Sequence, residues 1–185
     1  MPIPSAFTEA TDWQSLDSAV RGFGDADAVT EQDLFETLRS VEAWREKFTE
    51  LFTFEFRGEQ VTWRRYEFLV WSLGESFRRL MLHFRHLRQS ERIFEQVRSL
   101  CFDQRFGKGR ESFTMVLGIY GGEAQIPALI NLLADPEVCG HAVYALRLLG
   151  APEAADGIRP FLNSRIAWIR EEALKFFQKI EPVEK

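Results

Sequence analysis

Apolar positions along the chain change their period twice, and those changes divide it into regions. At the start, Trp13, Leu16 and Val20 recur at helical spacing behind Asp12, a good N-cap, and Gly22 and Gly24 stop the run. A second helix is predicted where Thr30, with Asp33 three positions on, forms an approximate capping box before Leu34, Leu38 and Val41. Trp44, Phe48, Leu51 and Phe52 continue that period. Alternation then takes over: Phe52, Phe54 and Phe56 alternate with Thr53, Glu55 and Arg57, and Val61 and Trp63 with Gln60, Thr62 and Arg64. Folded about Gly58-Glu59, this predicts a β-hairpin over about residues 52–66, with Phe56 opposite Val61, Phe54 opposite Trp63, and Glu55 opposite Thr62 on the other face. A kinked helix is the alternative, and Gly58 argues against it. Beyond Gly74, Ser76 is placed to cap a helix whose apolar face is Phe77, Leu80, Met81, Phe84 and Leu87.

From about residue 90 the pattern repeats itself. Ile126, Leu129, Ile130 and Leu133 form one helical stripe, Asp135-Pro136 ends that helix and starts the next, and Val138, Ala142, Ala145, Leu146 and Leu149 resume the stripe. Gly150 then stands where Gly121 stood, and a second copy follows. It has Ile158, Phe161 and Leu162 on one helix, and Ile166, Ile169, Ala173, Phe176, Phe177 and Ile180 on the next. An earlier copy pairs Ile93, Val97, Leu100 and Cys101 with Phe113, Val116, Leu117 and Tyr120 across Gly107-Lys108-Gly109. The run Ile126-Pro127-Ala128-Leu129-Ile130-Asn131-Leu132-Leu133-Ala134-Asp135-Pro136-Glu137-Val138 resembles the HEAT repeat, in the short form of about 30 residues seen in phycobilin-lyase-type proteins. The Arg that often follows the Val in that family is Cys139 here and returns as Arg170 in the last copy. The resemblance covers about residues 90–180. It implies a mainly α chain, a short α-α superhelix whose hairpins each bury a stripe against their neighbours and leave a face free to bind. The expected organisation is residues 1–89, a helical segment with the β-hairpin packed on the array, and residues 90–185, the HEAT-like repeats.

Composition agrees with a folded chain: of 185 residues, 45% are hydrophobic, and 17 Phe and 5 Trp supply core volume. The first 13 residues carry no basic or apolar leader pattern, and no 18-residue apolar run occurs, so an unexported, cytoplasmic protein without a membrane span is expected. Cys101 and Cys139 stand far apart, which suits buried thiols in a reducing compartment better than a disulfide framework. The net charge of −5 is uneven: residues 1–56 sum to −8, residues 57–110 to +6, and residues 111–185 to −3. Either the segments neutralise one another in the folded protein, or the asymmetry steers a charged partner.

Catalytic signatures are missing. No nucleophile elbow or Cys/His/Asp arrangement is present, and Gly107-Lys108-Gly109 and Gly121-Gly122 do not have phosphate-loop spacing. His83 and His86 sit three apart, a spacing that can hold a metal, but no third ligand stands beside them. Glu171-Glu172 has no partner that would set acid and base roles. No enzyme activity, cofactor or metal is therefore expected. The leading expectation is a non-catalytic protein-binding module, in one version an immunity- or antitoxin-like inhibitor of a partner protein. Its contact residues would be His141, Tyr144, Arg147 and Arg170, on helices that follow the inter-helix turns. A nucleic-acid binder is the second reading. It is motivated by Arg57, Arg64, Arg65, Arg78, Arg79 and Arg85 with Arg88, Arg92 and Arg98, interleaved with Trp63, Tyr66, Trp71 and Phe84, and opposed by the acidic pI near 5.4. The contacts assigned to that reading are Arg64, Arg65, Arg78, Arg79 and Arg85. The third is a bilin lyase or chaperone, implied by the repeat resemblance alone.

Overall fold

The computed structural model describes Phe7, Ala10, residues 12–56 and residues 58–180, apart from the Phe56 side chain. Arg57 and that side chain, both named above, lie outside the described residues. The chain is mainly α-helical, with one antiparallel two-stranded hairpin in its N-terminal half. It forms two compact units, Met1–Phe113 and Thr114–Lys185. The sequence division at 89/90 thus differs from the structural one, because the helix after residue 90 packs within the first unit. No helix among the described residues is long and apolar enough to cross a membrane.

The first unit opens with α1 (Trp13–Phe23) and α2 (Glu31–Lys47), and both start as their caps dictate. Asp12 accepts from the Ser15 N–H at 2.8 Å. Thr30 and Asp33 exchange reciprocal bonds of 3.2 and 2.8 Å, satisfying two otherwise orphaned donors. The helical period expected to run through Phe52 stops at Phe48. Leu51 and Phe52 instead lie on β1 (Leu51–Phe56), which pairs with β2 (Glu59–Arg64).

The hairpin's register is shifted by two residues from the sequence reading: Phe54 faces Val61, Phe52 faces Trp63, and Thr53 faces Thr62. Glu59, expected in the turn, instead pairs with Phe56 as the first residue of β2, and Gly58 before it sits at φ 82, the left-handed region that glycine favours. A shift of two keeps each side chain on its face, so the aromatic face survives the correction. The Thr53 and Thr62 hydroxyls meet at 2.9 Å on the other face.

Helix α3 (Arg65–His83) follows the hairpin directly, its first turn held by the Arg64 N–H donating to Glu67 at 2.8 Å. Contrary to the sequence reading, it runs straight through Gly74 and Ser76. Ser76 is buried and its hydroxyl donates to the Val20 carbonyl of α1 at 2.7 Å, so it links two helices rather than starting one. Glycine is needed at this helical position because a Cβ on Gly74 would lie 2.0 Å from Ser112 Oγ, and Ser112 in turn donates to the Trp71 carbonyl at 2.9 Å. Helices α1 and α2 pack on α3, as does the 3-10 segment Gln104–Arg110, while α4 (Glu91–Phe102) packs on α2. Leu16, Leu34, Leu69, Leu73, Phe77 and Ile93 are completely buried among them. Arg110 is buried too. Its guanidinium donates to the Gly107 and Cys101 carbonyls at 2.8 and 3.0 Å, which meets part of the need of a charge removed from water.

The second unit takes over within α5 (Glu111–Tyr120) and continues with α6 (Ile126–Leu132), α7 (Cys139–Leu149), the short α8 (Ala155–Ile158) and α9 (Ala167–Ile180). Helix α6 packs on α7, and α7 on α9. The Asp135-Pro136 stop is a turn: Asp135 accepts from Glu137 N–H through its side chain at 3.0 Å, and α7 begins only at Cys139. Phe161 and Leu162 lie in the 3-10 segment Arg159–Asn163 rather than in an α-helix, and Ile166 precedes α9 and is exposed. Gly150 ends α7 in the left-handed region, φ 68 and ψ 45, with its N–H on the Leu146 carbonyl at 2.9 Å. Lys179 then donates to the Leu148 and Arg147 carbonyls at 2.7 and 3.1 Å, placing a cation on the negative end of that helix.

Helix α5 approaches α7 at Gly118, where an added Cβ would sit 2.3 Å from Ala145 Cβ and 2.6 Å from its Cα. Alanine gains about 1 kcal/mol of helix propensity, but overpacking against backbone costs about 1–3 kcal/mol or more. Gly118→Ala is therefore expected to lower the urea midpoint, and an unchanged or higher midpoint would show that the helices can move apart at little cost.

Candidate functional site

Two regions concentrate chemistry. The first is a cavity of about 260 Å³ in the N-terminal unit, lined by Phe54, Val61, Trp63, Phe68 and Trp71, with Arg21, Glu55 and Glu111 among its walls. The hairpin supplies Phe54, Val61 and Trp63 from one strand face, and α3 supplies Phe68 and Trp71, three residues apart on one side of the helix. Phe54 and Phe68 meet at 5.2 Å between centroids and 67°, Phe54 and Trp63 at 5.6 Å and 89°, and Phe68 stacks on Trp71 at 6.2 Å and 25°. The rings are thus locked in edge-to-face and stacked contacts with one another, the arrangements their quadrupoles favour. Arg21 lies 5.5 Å over the Phe68 ring while its Nε donates to Asp17 at 2.8 Å.

No residue of this cavity was assigned to it by the sequence reading. Alternation on the hairpin and the helical period after it were both visible, but their meeting depends on how the hairpin folds back onto α3.

The second region is the surface of α7 and the start of α9. His141 is half-buried with its ring 5.2 Å from Trp168, and Trp168 in turn lies so close over Gly140 that a Cβ there would meet its ring at 2.5 Å. Trp168 remains 39% exposed, and Ile166 52%. Arg147 sits 5.0 Å over the Tyr144 ring and pairs with Glu172, which also accepts from Lys175 at 2.9 Å. Arg170 donates to the Ser164 carbonyl at 2.6 Å. Of the four expected contact residues, Arg147 and Arg170 therefore also hold the structure together, and the exposed apolar groups Trp168 and Ile166 at the start of α9 were not singled out as contacts.

Four of the five arginines assigned to nucleic acid are engaged by partners within the chain. Arg64 donates to the Thr49 carbonyl at 3.0 Å, Arg65 stands 3.8 Å from Glu50 and over Trp13, Arg78 is 3.1 Å from Glu75, and Arg79 is 3.4 Å from Asp25. Arg85 is exposed in the 3-10 segment Arg85–Gln89. Tyr66 and Trp63, proposed as stacking faces, are buried. Nearby, Arg105 bonds Asp103 and holds that carboxyl below its usual range despite partial burial.

His83 and His86 do not share a helix: His83 ends α3, and His86 lies in the following 3-10 segment. No group of three or more metal-ligating side chains occurs among the described residues. Cys101 is buried and in no disulfide. Cys139 is free but only half-buried, a correction to the expectation of two buried thiols, and desolvation pushes its pKa up, which keeps it a poor nucleophile.

Glu172 is buried beneath Arg147 and Lys175, so neutralising it strands charge in a partly dry place. Glu172→Gln is expected to cost about 1–3 kcal/mol in urea unfolding. A cost below a few tenths of a kcal/mol would mean that Arg147 reaches water without it.

No protein-family model matches the chain, and no curated protein matches it. Among solved structures, a crystal structure of an engineered protein aligns over 97% of this chain and 95% of its own, at 14% identity and a TM-score of 0.39, too loose a likeness to assign fold or function.

Proposed function

We propose that the chain is a non-catalytic protein-binding module that works through the Trp168 face of its C-terminal unit. The observation that carries this reading is an exposed tryptophan held in place on two sides, by the His141 ring and by the backbone at Gly140. Tryptophan, tyrosine and arginine dominate binding energy at protein interfaces, and a ring already fixed in position loses little freedom when a partner covers it. Ile166 extends the apolar centre, while Tyr144, Arg147 and Arg170 supply the polar rim common to such interfaces. Resemblance of the Ile126–Val138 run to HEAT repeats supports the same reading, since stacked helical hairpins serve mainly as platforms. In its finer form the proposal is an immunity- or antitoxin-like inhibitor. That role needs a small surface with strong charge complementarity, and the chain's net charge of −5 favours a basic partner. The nucleic-acid reading has less support, because most of the arginines it invokes face carboxylates or carbonyls of this chain.

Tagged wild-type chain and Trp168→Ala, expressed in the native cell with neighbouring gene products present, test the proposal. Wild type is expected to retain one protein at near-stoichiometric yield. The variant should lose it by about thirtyfold in affinity, the effect of removing a hot-spot anchor of about 2 kcal/mol, with its melting temperature little changed. Recovery of the chain alone, or equal recovery with both forms, would overturn the proposal.

A further inference from the structure

The hairpin cavity suggests a second site, independent of the Trp168 face. Four aromatic rings from β1, β2 and α3 wall a space of about 260 Å³, enough for one small headgroup. Ring faces carry negative quadrupole density and attract cations, most strongly tryptophan, of which there are two here. The carboxylates among the walls, Glu55 and Glu111, add the same sign of field. Among the described residues Arg21 is the one cation in the lining, and Asp17 offsets its charge at 2.8 Å. Its guanidinium already rests over Phe68, so this wall holds an organic cation within the chain itself.

We propose that Phe54, Trp63, Phe68 and Trp71, with Glu55 at their edge, form a binding site for a small methylated ammonium ligand. The wall is made mostly of ring faces and holds two carboxylates, fewer oxygen ligands than a bare hard metal ion takes. A primary ammonium would also fit poorly, because it gives up strong hydration that rings cannot replace. A methylated ammonium spreads its charge over apolar groups, keeps the electrostatic attraction and loses little on leaving water. Arg21 occupies one face of the site and repels a second cation, so it acts as a built-in competitor that an arriving ligand displaces toward Asp17.

Calorimetric titration of the full chain with choline, and with 3,3-dimethylbutan-1-ol as its uncharged isostere, tests this directly. Choline is expected to bind at one site about tenfold more tightly than the isostere, the margin a multi-ring cation contact provides. Phe68→Leu keeps apolar volume but removes a ring face, and should weaken choline by about fivefold while leaving the isostere unchanged. Arg21→Gln, at an exposed position that does not endanger folding, should tighten choline by about threefold by removing the competing charge. Equal binding of the two compounds, no saturable binding of choline to either the wild type or Arg21→Gln, or a trimethyllysine peptide binding about tenfold more tightly than choline, would overturn the assignment to a small cationic ligand.

Discussion

Helix backbones in this protein come closer together than side chains would allow, and both units depend on that approach. In the N-terminal unit Gly74 of α3 meets Ser112, and Gly109 comes so near that a Cβ would lie 2.6 Å from the Glu67 carbonyl oxygen. In the C-terminal unit Gly118 meets Ala145, and Gly140 receives the Trp168 ring and Ile169. A glycine inside a helix costs about 1 kcal/mol of propensity relative to alanine. That loss is tolerated here because close approach brings many more atoms into dispersion contact than one methyl group would supply.

These contacts also explain where the unusual surfaces arise. Gly74 and Ser76 let α3 press against Ser112 and α1, and so fix the helix that carries Phe68 and Trp71. The hairpin then presents Phe54 and Trp63 to those two rings, and an aromatic lining forms at the meeting of a strand face and a helix side. Gly140 acts in the same way for Trp168, lowering the floor beneath the ring so that part of it packs while the rest stays in water. In both places a small residue positions a large one.

Charge follows a similar logic of local settlement. The segment from 57 to 110 carries +6 in sequence, yet Arg65, Arg78 and Arg79 each find a carboxylate, one of them close in sequence and two of them distant. Arg105 joins Asp103 to Glu42 of α2, tying an acidic stretch to a basic one. Exposed pairs of this kind contribute about 0–1 kcal/mol each. Their larger consequence is to flatten the field that the linear charge count implied.

Much of the local structure was determined by the sequence on its own. Asp12, Thr30 with Asp33, and Gly150 act within a few residues of themselves, so their cap geometry needs no distant partner. The alternating face of Phe52, Phe54, Val61 and Trp63 likewise announces a hairpin. What the tertiary structure alone decided lies wherever a residue's role depends on a neighbour far along the chain. Ser76 looked like a helix start until Val20 accepted its hydroxyl, and Gly74 looked like a stop until Ser112 occupied the space beside it. The 113/114 division and the aromatic cavity belong to this second kind, because nearest neighbours write caps and turns whereas burial is settled only when remote segments meet.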